Sequence, residues 1–129
     1  LRGIKSHDVN GYFNGEQREK LREIKKALYP ESMRLKLKED DGDYENHTDE
    51  DIAAAAFLLY FVNNGVTNVV SLDKHLKSLI RFLFEDGLKT FKSFVSDLQP
   101  AEINGRRLEL HGYKEGILCC LERYININL

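Results

Sequence analysis

Apolar residues recur along this chain with two periods, one near four and one of two, and each predicts a different kind of element. Leu21, Ile24 and Leu28 fall on one face of a helix, and Asn14 with Gln17 three residues on has the form of an N-cap and its capping-box partner. A first helix is therefore predicted over about Gly15 to Leu28. Its apolar stripe is thin and eight charges lie among Glu16 to Lys26, which places it on the surface. Tyr29-Pro30 is predicted to end it, because proline disfavours helical backbone in the residue before it. The pattern then changes. Met33-Arg34-Leu35-Lys36-Leu37-Lys38 alternates apolar and basic residues, which predicts a short half-buried strand. Arg107 to His111 alternates in the same way after the Asn104-Gly105 turn signal, so 33–37 paired with 107–111 makes a small two-stranded β ribbon.

The strongest pattern lies between these segments. Thr48 with Asp51 resembles a capping box, Asp49 and Glu50 suit the positive end of a helix dipole, and Asn63-Asn64-Gly65 supplies a stop. The helix so bracketed, Asp49 to Asn63, is apolar on every face after its first turn, and such a helix must be surrounded. Val66 to Val70 reads as an extended connector. Ser71 then caps a third helix carrying Leu72, Leu76, Leu79, Ile80 and Leu83, which Gly87 breaks or bends. Leu88, Phe91, Val95 and Leu98 continue at helical spacing to Pro100 as a fourth. Ile117, Leu118, Leu121, Tyr124 and Ile125 share a face of a last helix, about Tyr113 to Ile127. The fold class this predicts is mainly α: a compact array of about five helices around the buried central helix 49–63, with the ribbon 33–37/107–111. Residues 1–129 form a single helical domain with an irregular N-terminal arm, 1–13, and the start at Leu1 reads as a domain excised from a longer protein.

Composition narrows the class. A chain of 129 residues with 42% hydrophobic and 31% charged residues has material for one core and is not a disordered tail. Its longest strictly apolar run, Ile52 to Val62, falls well short of the roughly 20 residues of a membrane span, so no membrane partner is expected. The net charge of −2 provides no large field to drive binding to nucleic acid. The two cysteines, Cys119 and Cys120, are adjacent on a predicted helix and point about 100° apart, which gives no disulfide framework. Free thiols are ordinary in a reducing compartment, and an intracellular location, cytoplasmic or nuclear, is expected.

The search for chemistry is mostly negative. His7, His47, His75 and His111 lie in four segments, and no pair has the spacing that holds a metal on one helix face. The sequence contains no glycine-rich phosphate loop, no nucleophile elbow and no thiol-histidine signature. The expectation is no catalytic residue, no metal, no cofactor and no enzymatic activity. Glu39 to Asp51 carries eight carboxylates and no Lys or Arg, but an EF-hand loop counted back from Gly42 starts at Leu37, which cannot ligate. This run reads as a solvated loop. Leu83-Phe84-Glu85-Asp86-Gly87 is similar over five residues to the opening of the first homology motif of Bcl-2-like helical bundles; the Asn-Trp-Gly-Arg stretch that follows there is absent, and no family is assigned.

Two functional readings follow. The leading one is a non-catalytic protein–protein interaction domain, an adaptor, scaffold or oligomerisation module of a larger intracellular protein. Its partner is another protein or a second copy of itself, bound on the third to fifth helices through Phe82, Phe84, Phe91, Phe94 and Tyr124. The alternative is binding of RNA or another nucleic acid. Lys74, Lys77 and Arg81 share a helix face, and Lys89, Lys92, Arg106 and Arg107 are further candidate phosphate contacts.

Overall fold

The structure, a computed structural model, describes residues 13–39, 48–63, 65–71, 74–99 and 105–125. Most of the predicted arm and most of the acidic run lie outside the described residues, although Phe13 is buried in the core. Helix α1 spans Gly15–Glu39 and opens on the predicted capping box. The Asn14 backbone N–H donates to Gln17 Oε1 at 3.0 Å, and the Gln17 backbone N–H donates to Asn14 Oδ1 at 2.9 Å.

Pro30 does not end α1, and the predicted strand 33–37 is its last part. The alternation there does not report a buried face, since Met33 and Leu37 are exposed while the basic Lys36 is buried, together with Ser32 one turn before it. Those two, one turn apart, both reach Glu50 on the next helix. Their long-range contacts outweigh the hydrogen bond that a proline denies to the preceding turn. Helix α2, Thr48–Val62, is buried continuously from Ala53 to Phe61.

The segment after α2 is strand β1, Val66–Val70. Helix α3, Lys74–Arg81, continues as one π-helical turn, Phe82–Asp86. Helix α4, Leu88–Phe91, follows and unwinds into two 3₁₀ turns at Lys92–Phe94 and Ser96–Leu98. The last described residues form a hairpin of strand β2, Arg107–Lys114, and strand β3, Ile117–Ile125. Its two-residue loop, Glu115-Gly116, has φ of 53° and 79°, the paired left-handed conformations that match the twist of antiparallel strands.

The predicted five-helix array and two-stranded ribbon are thus incorrect. Among the described residues the fold has four helices and a three-stranded mixed sheet in the order β1-β2-β3. Residues 107–111 pair with β1 in parallel and with β3 antiparallel, and the predicted last helix is β3. The parallel pair is joined by the α3–α4 crossover, as parallel strands require.

One face of the sheet meets the helices. Val69, Leu108 and Leu110 belong to the same core as α2 and the buried sides of α1 and α3. Aromatic rings fill the space between α2 and the π turn: Phe84 lies 5.4 Å from Phe57, 5.1 Å from Tyr60 and 4.8 Å from Tyr124 of β3, on which it stacks. No helix among the described residues is long and apolar enough to cross a membrane.

Candidate functional site: the open face of the sheet

Side chains alternate along a strand, so the face opposite Leu108 and Leu110 follows from the register. It carries Val66, Arg107 and Ile125 in one row, and Asn68, Glu109 and Arg123 in the next. Val70, His111 and Cys120 come after them, and then Tyr113 beside Leu118. The apolar members of this face are exposed, from 36% at Val70 to 53% at Ile125. Its centre is polar.

Glu109 organises that centre. Its Oε2 lies 2.9 Å from Arg107 Nε and 3.4 Å from Arg123 Nε, an ion pair with each. Its Oε1 is 3.2 Å from His111 Nε2, and Asn68 Oδ1 is 3.2 Å from the same nitrogen. The donor atoms of Glu109, His111 and Cys120 lie within 4.8 Å of one another, a set of oxygen, nitrogen and sulfur that suits a divalent metal. The Cys120 thiol donates to the Glu122 backbone carbonyl at 3.4 Å.

A β-bulge brings Cys120 there. Arg107 to Leu110 pair with Ile125 to Glu122 in unbroken register, which continued would set Leu121 opposite His111. The register shifts between Leu110 and His111, and His111 faces Cys120 instead. Such bulges re-aim side chains beside functional sites. Sequence reading missed this set because it sought ligands at helical spacing. Glu109 and His111 are two apart, the spacing of one strand face, and Cys120 joins them only through strand pairing.

A second polar group has the composition of a hydrolase triad but not its geometry. Ser32 Oγ donates to Glu50 Oε1 at 2.5 Å and lies 2.9 Å from His75 Nε2. With the serine hydroxyl donating to the carboxylate, the contact with His75 is one in which Nε2 donates to Oγ, so His75 does not act as its base. All three are almost completely buried, so no substrate reaches them. The group ties α1, α2 and α3 together.

The residues predicted to bind a partner are largely turned inward. Phe84 and Phe91 are buried, and Phe82, Phe94 and Tyr124 are half-buried against the core. These five side chains are covered, wholly or in part, by the chain itself. The predicted phosphate contacts do not form one surface. Lys74 and Lys89 are exposed, Lys77 and Lys92 half-buried, and Arg81 is paired with Glu122. Arg107 lies on the open sheet face, bound to Glu109, and Arg106 is buried between the rings of Tyr60 and Phe61, 5.4 Å from each centroid. No family model, curated protein or solved structure matches the chain.

Proposed function

We propose that this chain is a non-catalytic protein-interaction domain that binds its partner, another protein or a second copy of itself, on the open face of the sheet. The observation that supports this is the row-by-row exposure of Val66, Val70, Tyr113, Leu118 and Ile125 on one side of the molecule. Exposed apolar side chains at both ends of this face, one of them aromatic, give a partner apolar area to bury on either side of the polar centre. The aromatic cluster on the helices, satisfied internally, passes this role to the strands. Nucleic-acid binding is the weaker reading, because Arg106 is inside and Arg81 and Arg107 already hold carboxylates.

Tyr113 and Leu118 are neighbours across the hairpin, and Tyr113→Ser with Leu118→Ser removes the end of the patch without touching the core. Light scattering over a concentration series is expected to show association of the wild type that the double variant loses at unchanged circular dichroism. Where the partner is a different protein, a photo-crosslinker at position 113 gives a discrete adduct in cells that Leu118→Lys abolishes. A protein that stays monomeric and gives no adduct fails the reading. RNA retention at low salt that Lys77→Glu abolishes would favour the alternative.

A further inference from the structure

We propose that Glu109, His111 and Cys120, with Asn68 at the fourth corner, form a binding site for one divalent cation of the zinc class. This inference rests on the geometry within the sheet and is independent of what docks on its open face.

Three observations carry it. The first is spacing. Donor atoms around a tetrahedral zinc with bonds of about 2.0–2.3 Å are separated by roughly 3.3–3.8 Å. His111 Nε2 lies 3.2 Å from both Glu109 Oε1 and Asn68 Oδ1, and Cys120 Sγ falls within the same 4.8 Å cluster. The second is the outer shell. Arg107 and Arg123 hold Oε2 of Glu109, which fixes the carboxylate and leaves Oε1 directed at the cluster, as the supporting residues of metal ligands do. The third is the bulge, which places a thiol where an unbroken strand would place Leu121.

The donors also select the metal. A thiolate, an imidazole and a carboxylate favour zinc, cobalt or a similar borderline cation over magnesium or calcium, which take oxygen ligands. Binding forms a metal–sulfur bond and a metal–nitrogen bond: the thiol proton, now directed at the Glu122 carbonyl, goes to solvent, and the imidazole ligates through Nε2 in the tautomer that carries its proton on Nδ1. Carboxylate and thiolate together then cancel the charge of the ion. Side chains of Glu109 and His111 are 11% and 13% exposed, so the site is sheltered yet reachable from the open face.

Cobalt(II) titration of the reduced protein tests this, because a thiolate ligand gives a sulfur-to-cobalt charge-transfer band and a tetrahedral site gives intense visible bands. The wild type and Cys119→Ser are expected to bind one ion and show both features. Cys119, in register with Gly112, lies on the other face of the sheet. Cys120→Ser is expected to lose the charge-transfer band, and His111→Ala to weaken binding by more than the about 10–100-fold that loss of an outer-shell partner costs. Zinc is expected to raise the melting temperature of the wild type and Cys119→Ser, but not of Cys120→Ser, which separates lost binding from lost folding. The site is overturned if wild-type protein gives no charge-transfer band, or if Cys119→Ser removes the band and Cys120→Ser keeps it. In the first case His111, Glu109 and Asn68 are a hydrogen-bonded cluster only.

Discussion

Lys36 Nζ stands 3.2 Å from Glu50 Oε1 with both side chains almost wholly buried, an ion pair between the second half of α1 and the first turn of α2. Burial alone would raise the Glu50 carboxyl. Hydrogen bonds from Ser32, from its own backbone N–H and from Lys36, with the charge of Lys36, outweigh burial and hold it below the ordinary carboxylate value. Because the folded value is depressed, the stabilisation is complete above the unfolded pKa of about 4.3 and is lost as pH falls from there through the folded value. Glu50→Gln removes the negative charge 3.2 Å from a buried ammonium and is expected to cost about 3–5 kcal/mol at pH 7. The difference from wild type should shrink at pH 3 in urea melts. Replacing both partners by apolar residues, Lys36→Met with Glu50→Leu, is expected to cost far less than Glu50→Gln alone.

Arg106 is a buried cation, and among the described residues no carboxylate pairs with it. Its compensation is different: Nη2 donates to the Phe61 carbonyl at 3.2 Å, one of the last carbonyls of α2, and Nη1 donates to Gln99 Oε1 at 3.0 Å. The negative end of the helix dipole and two aromatic faces stand in for a counter-ion. Burial pulls its pKa down. Arg106→Ala is expected to destabilise by about 1–3 kcal/mol for the carbonyl left unsatisfied, with lost packing in addition. Arg106→Lys keeps the charge but not the planar fork, and is expected to fall between Ala and wild type in chemical denaturation.

Local signals in the sequence were legible and long-range ones were not. The Asn14–Gln17 box involves residues three apart, and the run Ala53 to Phe61 is apolar on all sides, so neither needs a partner to be read. The run of α1 through Pro30 depends on Glu50, twenty residues beyond the proline. Strand β3 was hidden by its own bulge: the extra residue breaks the alternation of two and leaves Ile117, Leu118, Leu121, Tyr124 and Ile125 at intervals that also fit a helix. The Lys114-Glu115-Gly116 turn was the available counter-signal. The open-face site inherits that error, since Cys120 meets His111 only once β3 is a strand.

Tyr124 links β3 to the helices by stacking on Phe84 and by donating its hydroxyl to Glu122 Oε2 at 2.7 Å. Burial first, then the hydrogen bond and charge of Glu122, push its phenol well above the usual value. With the folded value raised, its contribution is complete below the unfolded pKa of about 10 and is lost as pH rises beyond it. Tyr124→Phe is expected to cost about 0.5–1.5 kcal/mol at neutral pH and to lose less stability than wild type between pH 9 and 11 in guanidinium melts.

Gly112 is the position that the bulge makes indispensable. A Cβ there would lie 2.8 Å from Leu121 Cδ1 and 3.3 Å from the Ser71 backbone oxygen. The bulge turns Leu121 over the glycine on the helix side, while Ser71 donates its backbone N–H to the His111 carbonyl at 3.1 Å and keeps β1 close. An added methyl must push Leu121 away or part β1 from β2. Gly112→Ala is therefore expected to destabilise by about 1–3 kcal/mol, the usual range for overpacking. If the leucine is the obstacle, Leu121→Ala relieves the clash, and the double variant should be more stable than the two single losses predict, with a coupling of about 0.5–3 kcal/mol. If the Ser71 oxygen is the obstacle instead, the losses add, and protection of the Ser71 amide from hydrogen exchange should fall in Gly112→Ala whether or not Leu121 is truncated.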